Sequence, residues 1–246
     1  MMKNTYLLGL LALFLLTSCK EDVGDFTMNF KATYDGDPLV LLETLEYPGY
    51  DINIVESEFY ISNISLLQGD ERVQLADIDY VDFTNNNFNL ERASEGIDFN
   101  YAEIPSGTYD GVEFTIGVQA AENAMLPNAF ESDNPLSKSG NYWAAWDSYI
   151  FAKLGGNFRG DSGNLSNGWF FHTGTDGLLR TFVIDKDIVI DDSKSASASI
   201  TMDHKILLQT GGEYFDIENS FANHDPTNLG PLEMIVNNYS SSFTFD

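Results

Sequence analysis

A single cysteine, Cys19, leaves this chain without any internal disulfide framework. Basic residues are also scarce, 12 against 38 acidic ones for a formal net charge of −26. Binding to nucleic acid depends on neutralising phosphates with lysine and arginine, so that class of partner is excluded. The longest apolar run, Tyr6 to Leu16, is shorter than the roughly 20 residues a membrane-spanning helix needs. Also missing are a Gly-x-Ser-x-Gly elbow, a phosphate-binding glycine loop, a His-Glu-x-x-His helix and a complete calcium loop. Gly160-Asp161-Ser162-Gly163 looks like the nucleophile motif of trypsin-like proteases, but no histidine precedes Ser162, as that family's order requires. It reads instead as a polar loop, and the expectation is a protein that is not an enzyme.

What is present begins at the N-terminus. Lys3, the apolar run and Leu16-Thr17-Ser18-Cys19 follow the order of a secretory signal ending in a lipobox. Residues 1–18 are therefore expected to be removed and Cys19 to carry lipid, which accounts for the one thiol. Lys20-Glu21-Asp22 resembles an acidic tag for the outer face of the outer membrane. The expected location is thus an outer-membrane lipoprotein, on the periplasmic or cell-surface side. Residues 19–25 form the lipidated cysteine and an acidic linker, and residues 26–246 a single domain.

Aromatic residues make up 13% of the chain, enough for a folded core despite the charge. Apolar positions alternate with period two, the pattern of half-buried strands. Phe26, Met28, Phe30 and Ala32 show it, as do Val112, Phe114, Ile116 and Val118; Ile97, Phe99 and Tyr101; Tyr149 and Phe151; and Ala196, Ala198, Ile200 and Met202. Turn-forming stretches at Tyr34–Pro38, Pro105–Gly107 and Thr173–Gly177 separate these runs. The fold expected is all-β, a single antiparallel β-sandwich-like domain with long loops. The longest irregular stretch is Ala120 to Asn141, and loops of that length are usually functional or mobile.

Candidate chemistry is sparse. The three histidines, at 172, 204 and 224, have no local ligand spacing, so only the fold can bring them together. Imidazoles suit copper, zinc or nickel, and thioethers such as Met125, Met202 and Met234 would favour Cu(I). Alternatively the histidines are polar residues at strand ends and the methionines fill the core. Trp143, Trp146 and Trp169 could form a surface aromatic site for stacking on a sugar, although aromatic residues mostly serve as core.

Several segments together resemble the MbnP-like family of secreted copper-associated proteins. Phe59-Tyr60-Ile61-Ser62-Asn63-Ile64 is similar to its "fYiSnI" strand, and Ile104-Pro105-Ser106-Gly107-Thr108-Tyr109 to its "vPaGtY" turn. Val112 to Val118 with Asn123 follows the next strand and loop. Tyr142-Trp143 with Tyr149, Phe151, Lys153 and Gly156 follows "MyWsW..GY.F.k.eG", and Phe171-His172-Thr173-Gly174 follows "fHlG". The order holds from about residue 26 to 245.

The resemblance implies an extracytoplasmic β-rich domain. It also implies a copper site of two histidines and a tryptophan oxidised to kynurenine, with a diheme peroxidase-like partner associated with the oxidation. His172 takes the place of one ligand, and His224, by position, that of the second; His204 is expected to be structural. This chain departs from the pattern at the oxidised tryptophan, because Phe170 stands two residues before His172 and Trp169 three before. Ala145 stands where the second tryptophan of the paired motif belongs, with Trp146 displaced by one, and Gly155 replaces the usual glutamate before Gly156. The reading is an MbnP-like lipoprotein binding copper through His172 and His224; the alternative is a surface module for ligand or protein interaction, built on the 120–141 loop and the tryptophans.

Overall fold

The computed structural model describes residues 22–160, 163–192, 194–220, 222–225 and 227–246. The expected signal segment, Cys19 and the Asp161-Ser162 pair of the serine loop lie outside the described residues. The strands that build the fold are β1 (Val23–Tyr34), β2 (Tyr50–Gln68), β3 (Glu71–Asp82), β4 (Ile97–Pro105) and β5 (Gly107–Ile116). After these come β6 (Tyr142–Trp143), β7 (Ser148–Arg159), β8 (Leu165–Gly174), β9 (Arg180–Ile190), β10 (Ala196–Asp203) and β11 (Ala222–Asn223). Helix α1 (Gly230–Ser242) leads into the last strand, β12 (Phe243–Phe245). Because β1 starts at Val23, the final residues of the expected linker already pair in a sheet.

Two sheets face each other. One runs β12–β10–β1 with β4 also on β1; the other runs β9–β5–β2–β7–β8–β11, with β3 on β2 and β6 on β7. β2 is long enough to carry two partners in succession along it, β7 from Ile52 to Phe59 and β5 from Ile61 to Leu67. Alternation puts Phe26, Met28, Phe30 and Ala32 of β1 entirely inside. The Phe30 ring meets Phe99 of its own sheet at 5.9 Å, and Phe59 and Phe114 of the opposite sheet at 5.9 and 5.7 Å, all edge-on. These contacts join the layers, and edge-to-face pairs add to the stabilisation from buried area. The antiparallel expectation holds for most pairs, but β1–β10 and β8–β11 are parallel. A parallel partner needs a long crossover, so no hairpin signal marks it.

α1 departs from the alternating pattern. Pro231 occupies its first turn, where a missing N–H costs nothing, and Leu232, Ile235, Val236 and Tyr239 line one buried face at helical spacing.

The outer face of the larger sheet is partly covered. Residues 120–141 fold as a helical turn at Ala120–Asn123 and three 3-10 turns, not as an open loop. Leu136 from this segment is buried against Tyr60, Val118, Tyr149 and Phe151 in a second, smaller apolar cluster. Asn123 clamps the segment to β7: its side-chain oxygen accepts from the Tyr149 N–H at 2.8 Å and the Ser148 hydroxyl at 3.1 Å.

Candidate metal centre

Beside that cluster, the same outer face carries a polar strip. Cross-strand pairing sets His172 of β8 opposite Lys153 of β7, and Lys153 opposite Glu58 of β2. In the adjacent row Phe170 is opposite Gly155, and Gly155 opposite Glu56. Gly155 has no side chain to fill its row, so the Glu56 side chain lies open to both Lys153 and His172. Lys153 Nζ donates to Glu58 and to the Asn141 side-chain oxygen, each at 2.7 Å, and lies 3.8 Å from Glu56. Asn141 in turn donates to the Tyr60 hydroxyl at 3.1 Å, tying the strip to the 120–141 segment. The buried Glu58 carboxylate thus has its countercharge, without which burial would be costly. His172 Nε2 lies 3.3 Å from Glu56, and this hydrogen bond, outweighing partial burial, holds the Glu56 carboxyl below its usual range.

β11 brings in the second histidine. Its parallel register, Phe170 beside Ala222 and Phe171 beside Asn223, continues to place His224 beside His172. The following turn is fixed by side-chain caps: Asn223 accepts from the Asp225 N–H at 2.9 Å, and Asp225 accepts from the Thr227 N–H at 2.8 Å and hydroxyl at 2.7 Å. The two imidazole centres are 6.4 Å apart. Phe170 lies 5.1 Å from each, nearly parallel to His224, and Trp143 lies 4.3 Å from His224 and 6.5 Å from His172. An open depression of about 530 Å³ adjoins the group, lined by Glu56, Tyr142, Trp143, Lys153 and His172 among others.

Nδ1 of His172 and Nδ1 of His224 are both buried without a hydrogen-bond partner. An ionised Glu56 can only accept, so Nε2 of His172 is the donor, and in the neutral ring this leaves the lone pair on Nδ1. This is the arrangement in which a carboxylate orients a metal-binding histidine. A ligating imidazole nitrogen sits about 2 Å from its metal and about 1.2 Å from its own ring centre, so two rings sharing an ion have centres up to about 6.4 Å apart. The observed separation of 6.4 Å is close to that limit. Among the described residues, no group of three or more histidine, cysteine, aspartate or glutamate side chains is placed to hold a metal. The donors on offer are two nitrogens, which suits a closed-shell ion content with two ligands and not Zn²⁺, which asks for four.

The other candidates are dispersed. Trp169 is a correction to the surface aromatic site: it precedes Phe170 by one residue, so alternation turns it to the opposite face, buried against Phe171 in the core. Trp143 and Trp146 do come together, stacked at 5.2 Å and 8°. Met202 is in the core, Met234 packs against it and Met125 is exposed, so none lines the depression. His204 is fully buried, hydrogen-bonded to Ser57 at 2.7 Å, away from the other two. Glu56, Lys153 and Phe170 share a face with His172 only through strand pairing, which leaves no mark in the local sequence.

The MbnP family profile matches residues 23–227. Among solved structures the fold is similar to MbnP from Methylosinus trichosporium, with a TM-score of 0.56 at 14% identity, covering 91% of this chain and 98% of that one. No curated protein sequence matches.

Proposed function

Since this chain belongs to the MbnP family, a copper-associated family, we propose that it is an extracytoplasmic lipoprotein that binds one Cu(I) ion between His172 and His224. The observation that carries the reading is the pair of buried, unpartnered Nδ1 atoms on neighbouring rings. Leaving a buried polar atom unpaired costs about 1–3 kcal/mol, so two at one place are best understood as waiting for a shared partner. Imidazole suits copper, and Cu(I) accepts two nitrogen donors. In this role the protein is a binder and not an enzyme: the bound ion would be cargo or store. Cys19 would hold the domain to the membrane by its lipid. A diheme peroxidase-like partner, implied by the resemblance, would find no indole at position 170 to oxidise, because that residue is Phe170.

The test is metal content. The exported chain, extracted from the membranes of copper-supplemented cells, is expected to carry one equivalent of copper, and His172→Ala and His224→Ala each to lose it while keeping their folded circular-dichroism spectra. An empty unaltered chain, or variants that keep their copper, would overturn the proposal.

A further inference from the structure

We infer that Trp143 caps the histidine pair with its indole face, as a cation–π contact to a soft monovalent ion, and that Trp146 is the residue that positions it. This rests on the copper reading above and adds a further contact to it. The separations of 4.3, 6.5 and 6.4 Å among Trp143, His224 and His172 form a triangle. The point midway between the imidazole centres then lies about 4.5 Å from the Trp143 ring centre, within the about 6 Å over which an aromatic face attracts a cation. By the same construction Phe170 lies about 4 Å from that point, but indole is the stronger of the two as a cation–π donor.

The local chain is built to hold the indole there. β6 pairs with the start of β7, Trp143 opposite Ser148, and the connection closes with a turn in which the Trp146 N–H donates to the Trp143 carbonyl at 3.0 Å. A turn of that kind puts residues three apart over one another, so Trp146 lies flat against Trp143, at 8° between planes. A tryptophan displaced by one position from the family pattern thereby becomes a stacking partner. Behind it, Gly174 leaves the room: a Cβ at that position would come within 2.6 Å of the Trp146 ring. Trp143 is thus backed by Trp146 on one face and packs against His224 with ring centres 4.3 Å apart.

A capping indole attracts the bound cation but supplies no nitrogen or oxygen ligand and occupies the space where one would bind, which suits Cu(I) and not Cu(II), whose preferred arrangement is a square of such ligands. The cap would therefore set the preferred oxidation state, and would report on occupancy through its own emission.

The experiment is an anaerobic Cu(I) titration of the exported full chain, reading tryptophan emission and, by competition with a chromogenic Cu(I) chelator, affinity. Emission is expected to fall with an endpoint at one equivalent. Trp143→Leu, which keeps apolar bulk without the π face, is expected to keep that stoichiometry but bind Cu(I) about tenfold more weakly, with Cu(II) affinity unchanged. Trp146→Leu is expected to retain the quench and show a smaller loss of affinity, as suits a positioning residue. Unchanged emission on loading, or wild-type Cu(I) affinity in Trp143→Leu, would overturn the inference while leaving the histidine site standing. Absence of Cu(I) uptake by the unaltered chain would overturn both. The emission endpoint needs no variant, so a poorly folding substitution does not remove the test.

Discussion

Acidification is expected to unfold this protein partly through one residue, His204. Its imidazole is fully buried, and its contacts define the neutral form: Nδ1 faces the Met202 carbonyl at 3.3 Å and so donates, which leaves Nε2 to accept from the Ser57 hydroxyl at 2.7 Å. Burial holds its pKa down to about 4, although Asp203 nearby pulls the other way. An unfolded histidine takes up its proton near pH 6.5, so between pH 6.5 and about 4 the unfolded chain binds a proton that the folded one refuses. Stability from this group is complete above pH 6.5, falls as the pH drops through that window, and is constant below it. At about 1.4 kcal/mol per pH unit, the loss amounts to about 3 kcal/mol. The assay is urea unfolding at half-unit steps from pH 7.5 to 4.5, comparing wild type with His204→Asn. The variant is expected to be less stable at pH 7 and to show a shallower decline on acidification, other titrating groups being common to both. Parallel stability curves for the two proteins would refute the reasoning.

Phe30→Ala removes the ring that meets aromatic residues of both sheets, and is expected to cost about 3–5 kcal/mol in denaturant unfolding; a loss below 1 kcal/mol would mean the layers are not joined there. Glu56→Gln leaves both imidazoles in place but weakens the acceptor that orients His172, so copper stoichiometry should persist with affinity about 10–100-fold lower. Unaltered affinity would remove Glu56 from the site. Cys19→Ala should move the protein from the membrane fraction to the soluble one, and continued membrane association would end the lipid assignment.

The strand content was legible because burial on one face leaves a period-two record: Phe26, Met28, Phe30 and Ala32 are all inside, as their spacing requires. Pairing was less so. The β1–β10 neighbours are some 170 residues apart in sequence, and nothing local encodes which distant strand will lie parallel. The same limit hid the site. His172 and His224 have no ligand spacing along the chain, and meet because β11 extends the register of β8. Residue type alone does not separate Trp169 from the other tryptophans; alternation does, since its neighbour Phe170 shares the histidine face and Trp169 lies in the core. Helix α1 carried its own signal, Pro231 followed by Leu232, Ile235, Val236 and Tyr239, within a chain otherwise read as alternating. Family motif residues fall into two kinds here: Asn123 holds a covering segment to the sheet, whereas His172 presents an unpaired nitrogen.

As proposed, two imidazole nitrogens, one from His172 and one from His224, would hold one Cu(I) ion. X-ray absorption at the copper edge of the anaerobically loaded protein tests this most directly. A Cu(I) edge is expected, with a first shell of two nitrogen scatterers at about 2 Å and the outer-shell pattern of imidazole. A shell containing sulfur, or four oxygen and nitrogen ligands around Cu(II), would contradict it.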